Sequence, residues 1–258
     1  MLIDTHCHLT DPRLEEQLDG VLSRAASAGV RGMVTISTGI EDAQRCIAVA
    51  RGRDAVRCTV GVHPNYVADT DLAQLPLLRG LQAAAEVVAI GEIGLDYHYG
   101  IEHRDKQIEA FKTQLQIAVD CAKPVVIHCR EAIDDTLAIM GNFPVVRAVF
   151  HCFTGSVDEA RKVLAAGHWL GFTGPITFKK NDALREVVSL TPLDRLLVET
   201  DAPYLSPEPI RKQKVNEPSL VMHVAATAAQ VKGVSLEELD RVTTQNASRF
   251  FGWTMGGG

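Results

Sequence analysis

The sequence predicts an α/β protein built as one (β/α)8 TIM barrel. Eight short runs rich in β-branched residues recur along the chain, and stretches with helical spacing separate them, the alternation that produces a parallel sheet. Eight strands is the number that closes such a sheet into a barrel, and 258 residues suffice for it. No Gly/Ser-rich or Pro-rich linker, low-complexity tract or repeat divides the chain. Residues 1–258 are therefore read as a single domain, with 255–258 as a flexible tail.

The first strand, Leu2 to Thr5, is a short apolar run beginning directly after the initiator methionine, and an amphipathic helix over Leu14 to Ala28 follows it. Gly29 stands where a helix C-terminal cap is expected. The second strand, Gly32 to Ser37, leads to a helix over Glu41 to Arg51, and the third runs from Val56 to Val62. The fourth, Val87 to Gly91, precedes a long helix over Arg104 to Cys121. The fifth, Val125 to His128, precedes a helix over Ile133 to Met140 with Gly141 as its cap. The sixth, Val146 to His151, precedes a helix over Val157 to Ala166 with Gly167 as its cap. His168 to Gly171 and Leu196 to Glu199 complete the set, and Ser219 to Val231 and Leu236 to Phe250 read as closing helices.

Charge and cysteine usage narrow the function. The net charge of −6 gives no global basic field of the kind that drives sequence-independent nucleic-acid binding, so an anionic substrate must be met by a local patch or by metal ions. The six cysteines are scattered, with no Cys-x-x-Cys pair, and read as reduced thiols. No basic region followed by an apolar stretch opens the chain, and no run approaches the roughly 18 apolar residues of a membrane span. A soluble, cytoplasmic protein that does not engage membranes is expected.

In such a barrel, catalytic groups lie at the C-terminal ends of strands. Asp4-Thr5-His6-Cys7-His8 ends the first strand, and two histidines two residues apart on a strand aim at one point. His63 follows the third strand, Glu92 the fourth, His128 and His151 end the fifth and sixth, and Asp201 follows the eighth. Four imidazoles (His6, His8, His128, His151) and two carboxylates (Glu92, Asp201) exceed what one tetrahedral ion uses, and they fill two ions if one carboxylate bridges. Cys7, Cys129 and Cys152 adjoin these residues, but alternation sends them towards the surrounding helices, as small buried apolar side chains. His98 and His103 fall in a polar rim loop, His168 at the opposite end of the barrel, and His223 on a closing helix.

With these residues placed, the chain resembles the TatD family of metal-dependent deoxyribonucleases, amidohydrolase-like barrels. Asp4-Thr5-His6-Cys7-His8, Gly61-Val62-His63-Pro64, Gly91-Glu92-Ile93-Gly94-Leu95-Asp96-Tyr97, Val126-Ile127-His128-Cys129-Arg130, His151-Cys152-Phe153-Thr154-Gly155 and Glu199-Thr200-Asp201-Ala202-Pro203-Tyr204-Leu205 stand in family order. The resemblance implies that His6, His8, Glu92 and Asp201 hold one divalent ion and that Glu92, His128 and His151 hold the other. It also implies cleavage of DNA in the 3′ to 5′ direction. The chain departs from the family in Arg211-Lys212-Gln213-Lys214-Val215-Asn216-Glu217-Pro218, which keeps Asn-Glu-Pro but lacks the family's glycine and last basic residue.

The expected reaction is phosphodiester hydrolysis. Two ions, zinc, manganese or magnesium, lower the pKa of coordinated water towards neutrality, Asp201 orients that water and takes its proton, and His63 donates a hydrogen bond to the phosphoryl group. Tyr97, Phe153 and Tyr204 are candidates for stacking on unpaired bases, with loop packing as the alternative. Arg130 either holds a phosphate or pairs with Glu131 or Asp134. Lys179-Lys180 and Arg211, Lys212 and Lys214 either meet nucleic acid near the mouth or are solvated surface. A barrel mouth admits a strand end more easily than a duplex interior, so the expected partner is single-stranded DNA, engaged by a monomer. RNA remains a further substrate, and ester or amide hydrolysis, such as deacylation of D-aminoacyl-tRNA, is the competing reaction.

Overall fold

A computed structural model describes residues 2–253, and in it the eight runs form one parallel sheet in sequential order. Its strands are β1 (Leu2–Cys7), β2 (Val30–Thr35), β3 (Val56–Val60), β4 (Val87–Asp96), β5 (Val125–Arg130), β6 (Ala148–Phe150), β7 (Trp169–Phe172) and β8 (Leu196–Val198). The helices are α1 (Pro12–Glu15), α2 (Leu18–Ser27), α3 (Ile40–Ala50), α4 (Leu78–Leu81), α5 (Arg104–Asp120), α6 (Ile133–Met140), α7 (Val157–Ala165), α8 (Asp182–Leu190), α9 (Val221–Lys232) and α10 (Leu236–Phe251). The (β/α)8 barrel is thus present, and β1 meets the chain beyond β8 through two backbone bonds. Asp201 N–H donates to the His6 carbonyl at 2.9 Å, and His8 N–H donates to the Ala202 carbonyl at 2.7 Å.

The barrel has two apolar layers. Ile3, Val34, Ile36, Val126, Val149 and Leu197 fill the interior with Trp169, and Phe250 and Phe251 of α10 and Trp253 pack into the same cluster. Other buried apolar strand residues, among them Leu2, Met33, Cys58, Ile93 and Phe150, belong to a larger outer core with Leu14, Val21, Phe111, Leu115 and Val187. Full burial of each such side chain contributes about 1.5–3 kcal/mol. No helix among the described residues is long and apolar enough to cross a membrane.

Several boundaries differ from the sequence pattern for identifiable reasons. The helix expected over Leu14 to Ala28 is broken in two: Asp11 caps a separate first turn by accepting from Arg13 N–H, and Gln17 leaves helical geometry before α2 starts. β4 continues past Gly91 to Asp96 because glycine lets its backbone crowd β5. Gly94 has φ +142°, and a Cβ there would lie 1.9 Å from the His128 carbonyl oxygen. β6 is shorter than expected and ends before His151. Gly29 and Gly167 adopt left-handed φ values of 85° and 86°, whereas Gly141 stays right-handed at −56°. α8, which buries Leu184, Val187 and Val188, lies in a stretch where the pattern predicts no element. The tail at 255–258 lies outside the described residues.

Candidate metal centre

His6, His8, His63, Glu92, His128, His151 and Asp201 come together at the C-terminal mouth of the barrel. Irregular strand geometry places several of them. The β1–β2 register shifts between Asp4 and Cys7, and the β4–β5 register shifts between Ile90 and Ile93, bracketing Glu92. Asp201 follows β8 with φ +55°, a conformation non-glycine residues seldom adopt and one that clusters at functional sites.

Glu92 is the hub, and its two oxygens face different imidazoles. Oε2 lies 3.3 Å from His6 Nε2 and 4.0 Å from His8 Nε2. Oε1 lies 2.6 Å from His151 Nε2, 2.9 Å from His128 Nδ1 and 3.4 Å from His63 Nε2. Asp201 Oδ1 stands beside the first pair, 3.6 Å from His6 Nε2 and 3.4 Å from His8 Nε2.

The outer hydrogen bonds orient the rings. His8 Nδ1 lies 3.1 Å from the Ile36 carbonyl, so that nitrogen carries a proton and Nε2 is the nitrogen that faces inward, where a cation would displace its proton. His128 Nε2 lies 2.9 Å from Asp96 Oδ2, which fixes the ring so that Nδ1 faces Glu92, where a cation would displace its proton. His63 is the reverse. Its Nδ1 accepts from Asn65 N–H at 3.0 Å, leaving Nε2–H as a donor into the cleft rather than a ligand nitrogen. The rings of His6 and His151 stack at 3.8 Å, and the Nδ1 atoms of both are buried without a hydrogen-bond partner.

The electrostatics follow. Burial opposes a negative charge on Glu92, yet the surrounding imidazoles hold its carboxyl well below the ordinary range. Burial likewise opposes a positive charge on His8 and His128, but hydrogen bonding to Asp201 in one case and to Asp96 and Glu92 in the other carries each up to about 9. Burial pushes His6 down to about 4. Beneath the mouth, burial raises Asp4 to about 8 and Glu199 to about 7. Asp4 accepts from the Thr200 hydroxyl at 2.6 Å, and Glu199 from Cys152 N–H at 2.6 Å. Among the described residues, none of Asp4, Glu92, Asp96, Glu199 and Asp201 is paired with a lysine or arginine.

This donor set fits divalent cations. Imidazole nitrogens converge on carboxylates that no lysine or arginine pairs with, and divalent cations would take the place of the protons these groups otherwise share. Imidazole and carboxylate ligands suit zinc and manganese. The cysteines contribute nothing here: Cys129 Sγ meets Thr136 of α6 at 3.4 Å, and burial pushes the Cys7, Cys129 and Cys152 thiols up. Cys152 departs from the expected alternation. Its φ is +42°, and its Sγ lies 3.0 Å from Thr173 Oγ1 on the cleft wall instead of pointing to the helices.

The cleft above the cluster has a volume of about 1140 Å³. Tyr204 and Arg130 line it, while Phe153 lines it but is 93% buried, being only 7% exposed. Tyr97 does not line it: its hydroxyl donates to Asp135 at 2.7 Å and its ring packs on the core. Tyr99 occupies the rim in its place, beneath the Arg130 guanidinium at 4.9 Å. Arg130 pairs with neither suggested acid, since Glu131 bonds His98 and Asp134 bonds Lys162. Lys179, Lys180, Lys212 and Lys214 are exposed outside the cleft lining, and Arg211 stacks on Phe178 at 3.8 Å. His103 is exposed, His168 packs beside Phe150, and His223 is half-buried on α9.

Asp96, Glu199 and Asn216 also serve the site, although the sequence pattern assigns them no role there: Glu199 closes the eighth expected strand, and Asp96 and Asn216 stand within family segments. Asn216 is buried, and its amide donates to the carbonyls of Thr200 and Tyr204 at 2.9 and 2.7 Å, clamping the segment that carries Asp201. Asp96 and Glu199 carry one sequence signal, a carboxylate within four residues of a proposed ligand at a strand end.

The family model described as TatD related DNase matches residues 3–252. The metal-dependent hydrolase YcfH of Escherichia coli is 41% identical over 255 residues, covering 97% of this chain and 95% of that protein. The 3′-5′ ssDNA/RNA exonuclease TatD of Cronobacter sakazakii is 36% identical over 256 residues, covering 97% of each. The crystal structure of YJJV, a TatD homologue from E. coli, superposes with a TM-score of 0.91 at 28% identity, covering 97% of this chain and 98% of that one.

Proposed function

The chain belongs to the TatD-related DNase family of metal-dependent hydrolases, and on that basis we propose that it is a 3′–5′ exonuclease acting on single-stranded DNA ends, with two divalent ions that Glu92 would share. The observation that carries this reading is the division of labour on Glu92. Oε2 faces His6 and His8 beside Asp201, and Oε1 faces His128 and His151. On this reading His6, His8, Asp201 and Glu92 would hold one ion, and Glu92, His128 and His151 would hold the other.

When bound, such a pair supplies Lewis-acid charge for a phosphodiester and lowers the pKa of water. The chain's own residues do the rest. Asp201, held by His8, orients the attacking water and accepts its proton on the carboxylate. His63, whose Nδ1 is occupied by Asn65 N–H, donates from Nε2 to a phosphoryl oxygen as charge accumulates in the transition state. Arg130, at the cleft rim, meets a neighbouring phosphate. The mouth suits a strand end, and the 3′–5′ polarity is carried over from the name of the Cronobacter relative. Unpaired thiols agree with a cytoplasmic setting, and we place the enzyme there as a monomer.

The test follows 5′-labelled and 3′-labelled single-stranded DNA with magnesium, manganese or zinc, beside a His128→Ala variant. A 5′-labelled ladder shortening from the 3′ end, metal-dependent and lost in the variant, is expected. Absence of cleavage by folded, metal-loaded protein, together with deacylation of D-aminoacyl-tRNA, would reassign the site to ester hydrolysis.

A further inference from the structure

Three of the four tyrosines in this chain stand on the cleft rim, each three residues beyond a member of the central cluster or, for Tyr99, beyond the carboxylate that holds His128. Tyr66 follows His63, Tyr99 follows Asp96, and Tyr204 follows Asp201. Each turn is closed the same way, by the tyrosine N–H. Tyr66 N–H donates to the His63 carbonyl at 3.0 Å and Tyr204 N–H to the Asp201 carbonyl at 2.9 Å. Tyr99 N–H donates to Asp96 Oδ1 at 2.9 Å, while Oδ2 of that carboxylate holds His128.

These rings are unusually open for tyrosines: Tyr66 is 53% exposed, Tyr99 64% and Tyr204 46%. They rise from turns after three strands, the neighbouring β3 and β4 and the more distant β8, and all three line the cleft. Two carry a guanidinium against the ring. Arg13, held bidentately by Asp11, sits 4.6 Å from the Tyr204 centroid, and Arg130 sits 4.9 Å from that of Tyr99. Arg130 has no acidic partner among the described residues, so its charge remains available to a phosphate.

We propose that Tyr66, Tyr99 and Tyr204 form a base-stacking ring that selects unpaired nucleotides and sets their register over the centre. This rests on the nuclease reading above and assigns its substrate selectivity to these residues. A rigid aromatic face presented to solvent is the chemistry that recognises a splayed base, since every base offers a π-face and a stacked duplex hides it. Attachment three residues from His63, Asp96 and Asp201 ties the position of a stacked base to that of the neighbouring phosphate. Arg130 supplies the matching positive charge beside Tyr99.

The experiment measures binding of a fluorescein-labelled, phosphorothioate oligothymidylate and of an abasic chain of equal length by anisotropy. Wild-type protein is expected to bind the thymidylate more tightly than the abasic chain. Tyr99→Ala and Tyr204→Ala should each weaken thymidylate binding at least about fivefold and shrink that preference, while Tyr99→Phe and Tyr204→Phe retain it. Equal affinity of wild-type protein for the two chains, or an undiminished preference in both alanine variants, would overturn the proposal. Tyrosine-dependent base preference in a protein that cleaves no phosphodiester would uphold the ring while removing the exonuclease reading, so the two fail separately.

Discussion

Asp96 accepts the Nε2 proton of His128 at 2.9 Å, and that single contact decides which His128 nitrogen faces Glu92. Outer-shell partners of this kind typically contribute 10–100-fold to metal affinity or activity. Asp96→Asn should lower affinity for the ion beside His128 by about that factor. Calorimetric titration with zinc or manganese measures it, and wild-type affinity would remove the role assigned to Asp96.

Glu92 serves both halves of the cluster, so its loss should affect both ions. At a free-ion concentration of a hundred Kd, one bound ion stabilises the fold by about 2.7 kcal/mol, or roughly 5–10 °C in Tm for a chain of this size. Chelation removes two such ions from the wild type and should therefore lower its Tm by about twice that, roughly 10–20 °C. Glu92→Gln should show less than half the wild-type increment on metal addition. A full increment in the variant, read by scanning calorimetry, would separate Glu92 from metal binding.

Asn216 satisfies two backbone carbonyls beside Asp201 from a fully buried position. Asn216→Ala leaves both without that donor, at a combined cost of about 2–4 kcal/mol. Urea denaturation measures the loss, and a cost under about 0.5 kcal/mol would show that the clamp is dispensable.

Lys212 and Lys214 are exposed on the loop after β8. If both contact phosphates of a single strand, the double alanine variant should reduce the slope of log K against log salt by about 1.4. An unchanged slope would make the pair solvated surface.

The barrel was legible because strand order and strand ends follow from local patterning. β-branched runs locate β1 to β8, and polar residues at the ends of apolar runs locate His6, His128, His151 and Asp201. What was not legible depends on contacts across the sheet or on turn geometry. The length of β4 depends on glycine crowding against β5, and the break before α2 on the local cap at Asp11. Tyr97 and Tyr99 look interchangeable in sequence, yet one is drawn onto Asp135 and the other is turned to the cleft by Asp96. Cys152 escaped the alternation rule because β6 ends at Phe150 and the chain turns left-handed.

The central claim is that Glu92 joins two ions in one centre, and electron paramagnetic resonance of the manganese-loaded protein tests it most directly. The expected result is two manganese ions per chain with an exchange-coupled multiline spectrum that Glu92→Gln abolishes. One ion per chain with an uncoupled six-line spectrum would contradict the binuclear reading.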